Sequence, residues 1–150
     1  MKTIPLTKGK VALVDDDMFE YLNQWEWRAE KTHYGGYMAT RACRMSRQIM
    51  SCPQGLQVDH INHNTLDNRR CNLRICTRTE NKRNGKIRKD NTSGYKGVRE
   101  HKHNKKWEAS IRFNNRRIYL GRFDSKIEAA KAYDKAARKY FGEFMHLNFP

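Results

Sequence analysis

The chain is short of acid. Against 31 lysines and arginines stand 16 aspartates and glutamates, a formal net charge of +15, and the isoelectric point lies near 9.9. A polycationic partner is excluded on those grounds, and a polyanion is expected, nucleic acid first. Long apolar runs are missing too, which excludes a membrane-spanning helix. So is the basic amphipathic helix that would lie on an anionic bilayer. No signal peptide is evident, so the reading is a cytoplasmic protein with no membrane partner. Among Cys43, Cys52, Cys71 and Cys76 there is no C-x-x-C pair. Four thiols could still meet in space, but zinc knuckles come as paired C-x-x-C, so we expect reduced, mostly buried cysteines and no zinc. With 37% hydrophobic residues in a chain of 150, the cores are modest, in one ordinary domain or two small ones.

What is present is concentrated in Val58-Asp59-His60-Ile61-Asn62, Leu66-Asp67-Asn68-Arg69-Arg70-Cys71-Asn72-Leu73-Arg74 and Thr79-Glu80-Asn81. The pattern predicts a short strand, a polar loop returning as a second strand, and a helix. Such a unit can set an acid, an imidazole and a carboxamide around one cation. Neighbours on a strand point to opposite faces, so Asp59 and His60 can act together only where the strand ends. Thr77 and Glu80 form a capping box, which starts the helix there and aims Asn81 back at the strand end. A lone histidine in such a place is most often structural; an imidazole with an acid and a carboxamide around one cation suits phosphodiester chemistry.

These pieces, in this order and spacing, resemble the ββα-metal core of HNH endonucleases, in the branch with Asn at the third signature position, typical of phage and intron-encoded homing nucleases. The resemblance implies His60 as the general base that deprotonates water, Asp59 and Asn81 as holders of a divalent cation, and Asn72 as the residue that fixes the loop and orients His60. A carboxylate and an amide oxygen are hard ligands that suit magnesium, with manganese as a substitute. His63 is close enough to be a second base or ligand, or simply a solvated loop residue. Residues 1–50 read as a front sheet: strands at Ile4-Pro5-Leu6 and Lys10 to Val14, a short helix after Asp15 to Asp17 burying Phe19 and Leu22, then strands at Trp25-Glu26-Trp27 and Tyr37 to Arg41. Relatives commonly carry His where Ser46 stands. Arg41, Arg44 and Arg47 are either phosphate contacts or solvated surface.

Past the helix, residues 85–93 are polar, basic and bounded by glycine, the marks of a linker. Between Lys82 and Arg122 there are fourteen lysines and arginines against three acids, a segment suited either to tracking a DNA backbone or to acting as a plain tether. Strict alternation then puts Trp107, Ala109, Ile111 and Phe113 on one strand face and Glu108, Ser110 and Arg112 on the other. After a turn at Asn114-Asn115, Ile118 and Leu120 point inward and Arg117 and Tyr119 outward, and Tyr95 to Arg99 adds a third strand. A second capping box, Ser125 with Glu128, opens a helix that buries Ala129, Ala130, Tyr133, Ala136, Ala137 and Tyr140 against the sheet and closes at Gly142. The outer sheet face then presents several arginines, which repel one another unless an anion is there.

Gly94-Tyr95-Lys96-Gly97-Val98-Arg99, Trp107 to Arg112, Tyr119 to Asp124, Glu128-Ala129-Ala130, Ala132-Tyr133-Asp134 and Leu147 to Pro150 resemble the AP2/ERF DNA-binding domain. That family docks its sheet in the major groove, which implies contacts from Lys96, Arg99, His101, Arg112, Arg117 and Tyr119. Ser110, His101 and Tyr119 depart from the plant residues, so the plant target site does not carry over.

The fold class expected is therefore α+β. Residues 1–84 form an HNH nuclease domain (front sheet 1–50, core 53–84), 85–93 a basic linker, and 94–150 an AP2/ERF-like domain of three antiparallel strands on one helix. The function expected is a magnesium-dependent, site-directed DNA endonuclease. It would act on double-stranded DNA as a monomer that nicks, in the cytoplasm of a bacterial or phage-infected cell. The rival reading is a sequence-specific regulator that binds DNA without cutting it. A structured-RNA binder shares the charge but explains the His60 constellation poorly.

Overall fold

The computed structural model describes residues 1–33, 35–88, 90–102 and 105–150; Lys89 of the expected linker lies outside them. The chain divides into two compact units, 1–81 and 82–150.

In the first unit, β1 (Lys2–Pro5) pairs antiparallel with β2 (Val11–Val14). Alternation buries Ala12 and Val14 completely on one face, with Ile4 beside them. Three acids open α1 (Asp16–Asn23), where carboxylates suit the positive end of a helix dipole. Its Leu22 is fully buried, and Met18 and Phe19 pack against the same core. The strand expected at Trp25 to Trp27 is displaced: β3 runs Arg28–Lys31, after the tryptophans. Trp27 is 2% exposed and its indole Nε1–H donates to Leu22 O at 2.9 Å. Trp27 itself makes an isolated parallel bridge to Leu6 just before β3 begins. β3 pairs with β4 (Tyr37–Thr40), and α2 (Met45–Ile49) adds Met45 and Ile49 to the core.

The rest of this unit is the expected strand, loop, strand and helix. β5 (Gln57–His60) pairs antiparallel with β6 (Leu73–Cys76), Asp59 opposite Arg74 and His60 opposite Leu73. α3 (Arg78–Asn84) follows, capped as predicted. Glu80 accepts from the Thr77 N–H at 2.7 Å and the Thr77 hydroxyl at 2.8 Å, and the Glu80 N–H donates back to Thr77 Oγ1. The division between units falls inside this helix. All four cysteines are free, but only Cys76 is buried, with Cys43 and Cys71 exposed and Cys52 between. The expectation of mostly buried thiols is corrected, because three of the four sit on loops and turns that the small core does not cover.

In the second unit, β7 (Val98–Glu100), β8 (Trp107–Phe113) and β9 (Arg116–Phe123) form one antiparallel sheet in that order. Asn114 and Asn115, at φ 47° and 59°, make the two-residue turn that asparagine tolerates in a tight hairpin. Ala109 and Ile111 are buried on the inner face, as their alternation predicts. α4 (Lys126–Phe141) covers that face with Ala129, Ala130, Tyr133, Ala136 and Ala137. Its cap is Ser125, which accepts from the Ile127 N–H, and Gly142 closes it at positive φ. The chain end is tied down by buried Asp134, which accepts from the N–H groups of Asn148 and Phe149, both at 2.9 Å. A β-bulge between Ala109 and Ser110 skips Leu120, so that Arg122 comes to stand opposite Glu108.

Gly97, just before β7, lies against the Tyr133 ring of α4. Its φ is +76°, and a Cβ there would lie 2.0 Å from a Tyr133 ring carbon and 2.8 Å from Ser110 O. Gly97→Ala should therefore destabilise the second unit by about 2–5 kcal/mol from overpacking and backbone strain. Hydrogen exchange at Ile111 checks this; unchanged protection would show that Tyr133 can swing aside.

Candidate active site and nucleic-acid interface

Asp59 and His60 close β5, as their joint use requires. Asp59 is buried, and its Oδ2 accepts from Arg74 Nη2 at 2.7 Å and Nε at 2.9 Å across the strand pair. The Arg74 side chain is itself only 11% exposed, so its role is to orient this carboxylate. Half-buried His60 lies with Nε2 3.3 Å from Asn68 Oδ1. Burial holds its pKa below the ordinary histidine value of 6.5, opposed by the Asn68 contact and the charges of Asp59 and Asp67. Burial thus favours the neutral form of the His60 ring. Asn81, in the first turns of α3, donates from Nδ2 to Gln57 Oε1 at 2.8 Å. That fixes the orientation of its carboxamide.

The loop between the strands is held from several sides. Asn72 accepts from the Asn62 N–H at 2.9 Å and donates to Asp67 O at 2.8 Å, so one buried carboxamide clasps both limbs. Asp67, 1% exposed, accepts from Arg69 Nε and Nη2, both at 2.7 Å, and from Asn62 Nδ2 at 2.9 Å. Those bonds hold its carboxyl below the usual carboxylate range. The front sheet is stitched to the loop. The Leu13 N–H donates to Leu66 O and the Asn68 N–H to Leu13 O, each at 2.8 Å. The Arg70 N–H donates to Asp15 Oδ2 at 2.7 Å. The front region therefore positions Asn68, and through it His60, besides giving apolar support. Ser46 is buried. Arg47 spends its guanidinium on the carbonyls of Leu56, Cys52 and Pro53, and Arg41 lies over the ring of Trp25. His63 adopts positive φ in the loop.

The other candidate residues lie on the three-stranded sheet. Arg99, Arg112, Arg117 and Tyr119 occupy its outer face, and Tyr119 is 57% exposed. The anion that their repulsion demands is part of the chain. Glu108, buried at 5%, accepts on Oε1 from Arg99 Nη2 at 2.9 Å and Arg117 Nη2 at 2.8 Å. Arg122 Nε stands 3.9 Å from its Oε2. Lys96 is placed apart: its Nζ donates to the carbonyls of Arg83 and Gly85, where the carbonyls at a helix C-terminus favour a cation. Burial pushes the Lys96 amine down to about 8. His101 follows β7, its N–H donating to Lys106 O at 2.7 Å.

Four further residues belong to these sites: Asn68, Arg74, Glu108 and Arg122. Arg74 was readable only from strand register, and Arg122 only from the bulge. Among the described residues no three His, Cys, Asp or Glu side chains gather as a metal cluster, and no helix is long and apolar enough to cross a membrane.

A family model described as HNH endonuclease matches residues 51–83, and one described as AP2 domain matches residues 93–143. Over 147 residues the chain is 30% identical to the uncharacterized HNH endonuclease L560 of Acanthamoeba polyphaga mimivirus, covering 94% of this chain and 76% of that one. The chain belongs to the HNH endonuclease family and carries an AP2 domain. Its second half is also 54% identical over 69 residues to dehydration-responsive element-binding protein 2D of Arabidopsis thaliana, spanning 44% of this chain but only 33% of that protein. It is 48% identical over 59 residues to the plant ethylene-responsive transcription factor WRI1, of which it spans 14%.

The His60 environment fixes a sign. Folding lowers its pKa below 6.5, so the unfolded chain binds the proton more tightly, and stability falls as pH drops from 6.5 through the folded value. In proton NMR, the His60 ring should titrate below pH 6.5, and lower again in Asn68→Ala, which removes a contact that favours the charged ring. A midpoint at or above 6.5 would mean that His60 is not desolvated.

Proposed function

We propose that the chain is a divalent-metal-dependent DNA endonuclease that the AP2 unit directs to its target. The observation that carries this is a half-buried His60 at a strand end, next to the buried carboxylate of Asp59 and bonded to Asn68 of a loop clasped by Asn72, in a chain of the HNH family.

The base works through its own proton. A neutral ring that donates from Nε2 to Asn68 Oδ1 accepts at Nδ1, and Nδ1 would take the proton from the attacking water. The loop bonds from Asn72, Asp67 and Leu13 hold Asn68, and so the ring, in place. The oxygen donors nearby fit a hard cation: the carboxylate of Asp59, oriented by Arg74, and Oδ1 of Asn81, oriented by Gln57. Few protein ligands suit magnesium, which keeps most of its waters, and manganese would substitute. When bound, the cation would offset charge on the phosphate and on the leaving oxygen. The outer face of the sheet, with Arg99, Arg112, Arg117 and Tyr119, would lie in the major groove, whose width admits a β-sheet edge or ribbon. Phosphate contacts there position the protein and base contacts choose the site. With one His60 per chain, a monomer cuts one strand at a time, so nicking is the primary product.

The test is a supercoiled plasmid carrying candidate target DNA, incubated with wild type and His60→Ala, with magnesium or with chelator. Open-circle product should require both magnesium and His60, the variant losing at least about 100-fold in rate while still retarding the DNA. The rate should fall along an acid limb set by a pKa below 6.5. No product on any DNA, with salt-sensitive binding intact, would replace the nuclease by the non-cleaving regulator.

A further inference from the structure

Glu108 sits where a DNA-facing surface has least use for a carboxylate. It is on the outer face of β8, its side chain only 7% exposed, while its partners Arg99 and Arg117 are 59% and 46% exposed. Both arginines converge on a single oxygen, Oε1. Arg99 also gives Nε to that oxygen, at 3.2 Å. Its whole Nε–Nη2 edge is thus spent on Glu108, and the edge left to present outward is Nη1–Nη2. Two parallel N–H donors on a rigid fork match the O6 and N7 acceptors of guanine. Arg117 gives only Nη2 to Glu108 and stands opposite Arg112 in register.

We propose that Glu108 is the positioning residue for base recognition: it fixes Arg99 and Arg117 so that the sheet prefers paired acceptors of guanine in the major groove. The proposal rests on the reading of this face as the DNA-contacting surface. Glu108 itself touches no base; it converts two mobile cations into a fixed pair. Without it, each guanidinium would still attract phosphate, but in no set orientation. The carboxylate therefore lowers non-specific affinity by one charge and raises selectivity by holding geometry. A plain packing role or a plain charge role cannot produce those opposite effects together.

The experiment uses the full chain with calcium in place of magnesium, to permit binding while suppressing cleavage. Wild type is first used to select its preferred duplex from a random library. Affinities of wild type and Glu108→Gln are then measured for that duplex and for scrambled DNA across a salt series. The preferred duplex should contain guanine at the sheet contact. Glu108→Gln should bind scrambled DNA as well as or better than wild type, yet lose about tenfold or more in the ratio of specific to non-specific affinity, the scale of one bidentate base contact. Equal loss on both DNAs would assign Glu108 to folding, and equal gain would assign it to charge alone; each overturns the proposal. If wild type enriches no sequence, the reading of this face as a base-reading surface fails first. Should Glu108→Gln not fold, Glu108→Asp keeps the charge but withdraws the carboxylate from both arginines; it should lower the ratio with non-specific affinity unchanged, and an unchanged ratio overturns the proposal.

Discussion

A chain with so large a surplus of positive charge depends on where it spends its few acids. Of 16 aspartates and glutamates, four are buried among the described residues: Asp59, Asp67, Glu108 and Asp134. A buried carboxylate without partners is costly, and its hydrogen bonds must be nearly complete. Each therefore gathers donors and dictates local structure. Asp67 gathers Arg69 and Asn62 and closes the loop over Asn72. Asp134 gathers the N–H groups of Asn148 and Phe149 and brings the chain end to α4. Asp59 and Glu108 each gather arginine across a strand pair. These bonds organise the loop, the chain end and both candidate sites, beside apolar cores of which the one under β7 and α4 is mostly alanine.

Much of this was legible beforehand because it follows local rules. Alternation in Trp107 to Phe113 determined which face is buried, and Thr77 with Glu80 placed the start of α3. The expectation that Asp59 and His60 stand at a strand end agrees with β5, of which His60 is the last residue. What escaped was non-local. The tryptophans at 25 and 27 have strand character, but the paired strand begins at Arg28, and Trp27 makes an isolated bridge to the distant Leu6. The identity of the anion among the arginines needed the register that sets Arg99 and Arg122 opposite Glu108. Lys96 falls within the AP2 motif, yet its ammonium turned to the carbonyls of Arg83 and Gly85. No periodicity records such a choice, because it is made by chain segments that meet only after folding.

The two arginine–carboxylate sites use one interaction for opposite ends. At Asp59 the arginine is the buried partner: Arg74 is 11% exposed and gives both Nε and Nη2 to the carboxylate. The cation there serves the acid, holding an oxygen donor in a set direction beside His60. At Glu108 the exposures are reversed, since Arg99 is 59% exposed and the acid 7%. The acid there serves the cations, and their unspent N–H groups face water. Which partner is buried decides which partner is left for function. That asymmetry, more than the sum of charge, distinguishes the surroundings of Asp59 from those of Glu108. On the proposed reading of the sheet as a DNA-contacting face, it also accounts for arginines held by an acid there: electrostatic attraction to phosphate is long-ranged and tolerant of geometry, whereas discrimination between bases requires donors fixed in direction.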